Sequence, residues 1–295
     1  MQRRHLAGGA LLMAGAVLLS SAFWPAKDPW QIERAPLPVP GDLVSHYPPT
    51  GFERLEIRHS LAGKQLTLYL AHYQDASGAP RQAMLPEPKS RQWQAWMELA
   101  QVLHTLEPDA LLLTWWDNGQ RVDFLSGRAV WALKPPREAF SPRERPLWLK
   151  LSGGFEDSEK LIQLAKWWGK DSTQALQEIA RLGQPIYFLV SSQDLARAEE
   201  IERLAEGTLP LEMRIFPTTS HLHSQIAAVQ RWAQETGSRY LPQRAPGGII
   251  AWRLKKAPAT LLLRLLPFLP PLDQAADSLK LIYQSPDRYL TLYRH

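Results

Sequence analysis

Asp117, Asn118, Arg121 and Arg128 follow Trp115 and Trp116 within one run, LLLTWWDNGQRVDFLSGR, residues 111–128. Among these groups Arg121 and Arg128 can form charge-assisted hydrogen bonds with Asp117 or with a ligand carboxylate. Asp117 and Asp123 are also the type of paired carboxylates used by a glycosidase or a metal-dependent hydrolase, although nothing nearby fixes a second carboxylate on Asp117. Neighbouring tryptophans point in different directions whatever the local structure, so Trp115 and Trp116 cannot both serve one core face. The candidate binding residues are Trp115, Trp116, Asp117, Asn118, Gly119, Arg121 and Arg128, and no catalytic residue is assigned.

Their position depends on the elements that carry them. Leu111 to Trp115 reads as a buried strand, which puts Trp116, Asp117 and Asn118 at its carboxyl end, where open α/β sheets bind ligands. Asp117 can then cap a short helix or turn and leave the amides of 119–121 facing outward. The competing reading packs both tryptophans in the core and makes Asp117 a cap alone. Upstream, residues 52–73 alternate apolar and polar positions around Ala62-Gly63 and predict a hairpin. Trp93, Trp96, Met97, Ala100, Leu103 and Leu106 recur at helical spacing over 90–106, with Ser90 as the cap.

Downstream of a basic, proline-rich stretch at 134–146, helices are expected at 157–169, 172–183, 192–207 and 219–237, and strands at 185–191, 211–217 and 247–254. The chain closes as a hairpin around Ser285-Pro286-Asp287. This alternation predicts an α/β fold: a mostly parallel sheet flanked by helices, with antiparallel edge hairpins. The apolar segment 257–272 is broken by Arg264, Pro267, Pro270 and Pro271, which favours a buried or docking helix over a membrane span.

Other chemistries lack their residues. The absence of cysteine excludes disulfides, thiolate metal sites, iron–sulfur clusters and C-x-x-C-H haem attachment. Neither Gly153-Gly154 nor Gly247-Gly248 has phosphate-loop spacing, and G-x-S-x-G and H-E-x-x-H are missing. His221 and His223 converge on a metal only in extended backbone, whereas their surroundings predict a helix. No metal and no cofactor are therefore expected. A net charge of +5 spread over 295 residues is too mild for a nucleic-acid footprint. Twelve tryptophans offer rigid contact area in cores or interfaces.

Arg3, Arg4 and His5 precede Leu6 to Trp24, which contains no charge and matches the minimum for a transmembrane helix. The positive-inside rule sets Arg3 and Arg4 in the cytoplasm and the remainder across the inner membrane, in the periplasm. Ser20-Ser21-Ala22 also suits signal cleavage, so residues 1–24 are an anchor or a signal peptide. Residues 25–50 are proline-rich and read as a semi-rigid linker. Residues 51–295 form the periplasmic α/β domain, with a sub-boundary at 134–150.

The N-terminal apolar helix, the proline-rich spacer, the LLLTWWDNGQRVDFLSGR strand and turn, and PIYFLVS with its following helix together resemble the HaoB family. Its members are encoded beside hydroxylamine oxidoreductase. That resemblance implies a single-pass, periplasm-facing accessory protein of hydroxylamine oxidation in nitrification, which binds, positions or helps mature a multihaem c-type cytochrome. More locally, TWWDNG is similar to the W-W-D-x-G motif in the extracytoplasmic domain of oligosaccharyltransferase catalytic subunits. This implies peptide recognition by Trp115, Trp116 and Asp117. Asn118 replaces the usual tyrosine, and the family's many membrane helices are absent. An enzyme acting on an exported polypeptide or glycan at Trp116 and Asp117 is the alternative function.

Overall fold

Alternation in the sequence sets the first elements. The computed structural model describes residues 30–59, 64–156, 159–207, 209–218, 222–235, 240–245, 247–254, 260–267 and 279–295. Strand β1 (Trp30–Pro36) is followed by β2 (Pro49–His59), β3 (Lys64–Gln74) and β4 (Pro80–Leu85). Helix α1 (Arg91–His104) starts at Ser90, whose hydroxyl accepts from the Trp93 amide as a cap does, and buries the expected Trp93, Trp96, Ala100 and Leu103. Next come β5 (Leu111–Leu113), α2 (Trp116–Ser126) and β6 (Ala129–Val130).

Helices α3 (Arg145–Ser152), α4 (Glu159–Gly169) and α5 (Ser172–Ala180) precede β7 (Ile186–Ser191). The remainder contains α6 (Ala198–Ala205), β8 (Leu211–Pro217), α7 (Leu222–Gln234), β9 (Tyr240–Ala245) and β10 (Gly248–Leu254). It ends with α8 (Leu261–Leu265), β11 (Lys280–Gln284) and β12 (Leu290–Arg294). In α8, Leu261, Leu262, Leu263 and Leu265 are all buried, as a core helix requires.

The chain divides into two compact units. One comprises the described residues within 30–164, 180–191 and 280–295. Its four-stranded sheet, in the order β1-β2-β3-β4, is antiparallel throughout. Its five-stranded sheet has the order β11-β12-β7-β5-β6. Only β5 with β6 and β5 with β7 run parallel, and β11-β12 and β12-β7 are antiparallel. One core cluster joins Phe52, Ala71 and Leu85 of the first sheet, Trp93 and Trp96 of α1, Val122 and Phe124 of α2, and Leu112, Leu189 and Leu292 of the second sheet.

The other unit comprises the described residues within 165–179 and 192–279. Its antiparallel sheet has the order β8-β10-β9, and Phe216, Ile249 and Ala251 form a core with Val229, Trp232 and Ala233 of α7.

The expectation of a mostly parallel sheet is therefore corrected, and the reason is topological. Strands β8 and β9, joined through α7, do point the same way, as a strand–helix–strand crossover demands. Strand β10 folds back on β9 as a hairpin and lies between them, so every pairing in that sheet is antiparallel. Residues 30–36 of the expected linker form a strand paired with β2. No described helix is long and apolar enough to cross a membrane. The anchor or signal peptide expected at 1–24 lies outside the described residues, as does His221.

Candidate functional site

Strand β5 does deliver Trp116 and Asp117 at its carboxyl end, but the end is closed. The backbone turns at Trp115, an extended N-cap with no side-chain cap bond, so Asp117 lies in the first turn of α2 and does not cap it. An acid in that turn still suits the positive end of the helix dipole. Trp115, Trp116, Asp117 and Asn118 are 0 %, 2 %, 3 % and 1 % exposed. Trp116 meets Trp148 of α3 edge to face, with ring centroids 6.0 Å apart at 90°, and Phe140 stacks on the far side of Trp148 at 4.6 Å. Neither tryptophan is exposed in this structure, as the competing core reading expects.

The polar groups of α2 serve as internal cross-links. Arg121 donates from Nε to the Met84 carbonyl oxygen at 2.6 Å and from Nη1 to Asn118 Oδ1 at 2.6 Å and Asp117 Oδ2 at 3.3 Å. Its guanidinium carbon also lies 5.3 Å from the centre of the Trp96 ring. One buried cation thereby ties α2 to β4 and to α1. Gly119 is a contact residue, since a Cβ there would run into the Ala132 carbonyl oxygen. Arg128 is held apart from Asp117, with Nε, Nη1 and Nη2 donating to the carbonyl oxygens of Leu103, Glu107 and His104 at 3.0, 2.9 and 2.9 Å. The Leu103 and His104 carbonyls belong to the last turn of α1, where the regular i+4 amide donors run out, and Glu107 lies just beyond it. The structure brings Asp117, Asn118 and Arg121 together and sends Arg128 to a structural task.

Asp123 takes part in a separate cluster. Its Oδ2 accepts from the Tyr73 hydroxyl at 2.6 Å. Burial pushes the Asp123 carboxyl above the usual carboxylate range, with the Tyr73 bond and the Arg81 charge pulling the other way. Burial, followed by the Asp123 charge and hydrogen bond, also pushes the Tyr73 hydroxyl up. The Tyr47 ring stacks on Tyr73 at 5.5 Å.

An open groove lies on the other side of Tyr73. It has a volume of about 250 Å³ and is lined by His72, Tyr73, Pro80, Arg81, Gln82, Gln120, Leu133, Lys134, Ser152 and Gly153. Arg81 is oriented by Asp75, which accepts from its Nε at 2.9 Å. Asp75 in turn accepts from Ser77 and Ala79 around the β3–β4 turn, and these bonds hold its carboxyl well below the usual range. Gln120 donates from Nε2 to the Ser152 carbonyl oxygen at 3.0 Å. Ser152 donates its hydroxyl within the α3 terminus, to the carbonyl oxygens of Trp148 and Gly154.

None of these lining residues is among the candidates read from the sequence, where Gln120 falls inside the 111–128 run and Lys134 opens a basic stretch. Arg81 and Gln82 become site residues through the pairing of β3 with β4, which leaves no mark in spacing. Among the described residues no group of three or more His, Asp or Glu side chains is placed to hold a metal.

Among solved structures, the chain is similar to the crystal structure of the C. jejuni PglB C-terminal domain. The two share 10% identity over 68% of this chain and 98% of that one, with a TM-score of 0.39. Comparison with curated proteins returned no match. The family model described as HaoA-associated protein HaoB matches residues 2–295, and the chain belongs to that family.

Proposed function

We propose that this protein is a non-enzymatic accessory of hydroxylamine oxidation that associates with HaoA, the multihaem hydroxylamine oxidoreductase, from the periplasmic face of the inner membrane. The observation that carries this reading is the family match along residues 2–295, because the family is described by its association with HaoA. Two further features support it. The chemically versatile run at 115–121 is turned inward as scaffold, whereas the described surface groove presents basic and amide groups suited to binding. The uncharged segment Leu6–Trp24 behind Arg3 and Arg4 has the composition of a single-pass anchor.

Sedimentation of the purified full chain mixed with purified, haem-loaded HaoA tests the association. A complex that sediments faster than either component is the expected result. Independent sedimentation of the two proteins at low and physiological salt would overturn the reading. For the location, protease added to spheroplasts is expected to degrade the folded part while leaving cytoplasmic markers intact. Protection until lysis would place the domain on the cytoplasmic side.

A further inference from the structure

We infer that the groove beside Tyr73 binds a carboxylate flanked by a hydrogen-bond donor, the chemistry of a polypeptide C-terminus or an acylated amino acid. The charge of its wall is the first argument. Arg81 and Lys134 line it beside the His72 ring, and no carboxylate does. Asp75 pairs with Arg81 Nε and Glu53 with His72 Nε2 at 2.8 Å, so Lys134 is the lining cation without an ion pair among the described residues, and Asp123 is taken up by the Tyr73 hydroxyl.

Availability is the second argument. With Nε fixed by Asp75, the outer edge of the Arg81 guanidinium has no acceptor among the described residues, and Lys134 makes no ion pair there. A fixed guanidinium edge matches the two oxygens of a carboxylate. Lys134 Nζ lies over Gly154, close to where a Cβ would stand. A side chain at 154 would push the ammonium away.

The third argument comes from Gln120, which is 3 % exposed. Its Nε2 is committed to Ser152, but its Oε1 accepts from no described group and is closed off from solvent. A buried acceptor left unsatisfied is disfavoured, and a small rotation of the amide offers it to an N–H on a ligand. Leu133, Pro80 and the Tyr73 ring supply an apolar wall for the hydrocarbon beside the carboxylate. Inorganic phosphate has no such portion. At about 250 Å³ the groove is smaller than a drug-sized site and suits one or two residues.

Calorimetric titration of the full chain, with no HaoA present, tests this independently of the association proposed above. The probes are N-acetylglycylalanine, its C-terminal amide, propionate and inorganic phosphate. The peptide acid is expected to bind at least about tenfold more tightly than the amide, since a charge-assisted bond is lost. Lys134→Gln, which breaks no ion pair among the described residues, is expected to weaken the acid about tenfold with an unchanged melting temperature. Gln120→Leu is expected to weaken the acetylated peptide while leaving propionate unaffected. Propionate binding as tightly as the peptide would assign the carboxylate site to a free small acid. Equal binding of acid and amide, preference for phosphate, no binding of any probe, or an unchanged affinity in Lys134→Gln would each overturn the inference.

Discussion

Trp116 of α2 and Trp148 of α3 meet edge to face at 6.0 Å, and this contact closes the carboxyl end of β5. Strand β5 lies between β7 and β6; the chain passes from β5 to β6 on one flank, and after β7 it re-enters this sheet at β11 and β12 on the other. Such a reversal normally opens a crevice. Here two indoles fill it. Trp148→Ala is expected to lower stability by about 3–5 kcal/mol, as removal of a buried aromatic side chain does. The emission of Trp116, isolated as the difference between Trp148→Ala and the double variant Trp148→Ala, Trp116→Phe, should shift to the red as water enters. Unfolding in denaturant with fluorescence detection measures both, and an unshifted spectrum would show that another group seals the strand end.

Gly119 tests the closeness of α2 to the chain that follows it. Its added Cβ would meet the Ala132 carbonyl oxygen, a backbone atom that cannot swing aside. Alanine is otherwise the better helix former, so intrinsic propensity predicts a gain of about 1 kcal/mol for Gly119→Ala. The clash is expected to reverse that sign and leave a net loss of about 1–3 kcal/mol, in the range of overpacked cores. Chemical denaturation decides between the two signs.

Arg121 and Asp117 form a buried pair with Asn118 and the Met84 carbonyl as additional partners. Removing one charge strands the other away from water. Arg121→Met is accordingly expected to cost about 3–5 kcal/mol, and the double variant Arg121→Met, Asp117→Leu less than the sum of the singles. A double-mutant cycle from equilibrium unfolding supplies the coupling. Additivity of the two single effects would mean that the pair does not act as a unit.

These buried polar groups explain where sequence reading succeeded and where it stopped. Helix α1 was legible because its solvent-facing positions leave an apolar stripe, and the β2–β3 hairpin because one face is buried. Helix α2 is covered on nearly every side, with polar residues satisfied internally. Asp117, Asn118 and Arg121 therefore read as candidate site residues, since composition alone does not distinguish a solvated guanidinium from one bonded to Met84. Strand direction was misread at β10, because alternation of elements records the crossover and not the strand inserted within it. The groove was invisible for a related reason: Arg81, Gln120 and Lys134 converge only after β4 and α2 are placed.

Asp123 gives the fold a pH dependence whose sign can be worked out. Burial raises its carboxyl above the ordinary value, and the groups facing it are Tyr73, Arg81, Asp75 and His46. A carboxyl with a raised folded value favours its neutral form in the native state. The stability it contributes is fully present below its unfolded value of about 4 and is lost as pH rises through the higher folded value. Asp123→Asn removes the titration and keeps an Oδ1 acceptor for the Tyr73 hydroxyl. Relative to this variant, the wild type is expected to lose melting temperature progressively from pH 4 to pH 7. The desolvation account requires that loss. Thermal unfolding of both proteins across this range measures it, and a difference that is flat or rises with pH would mean that the Tyr73 bond and the Arg81 charge outweigh burial.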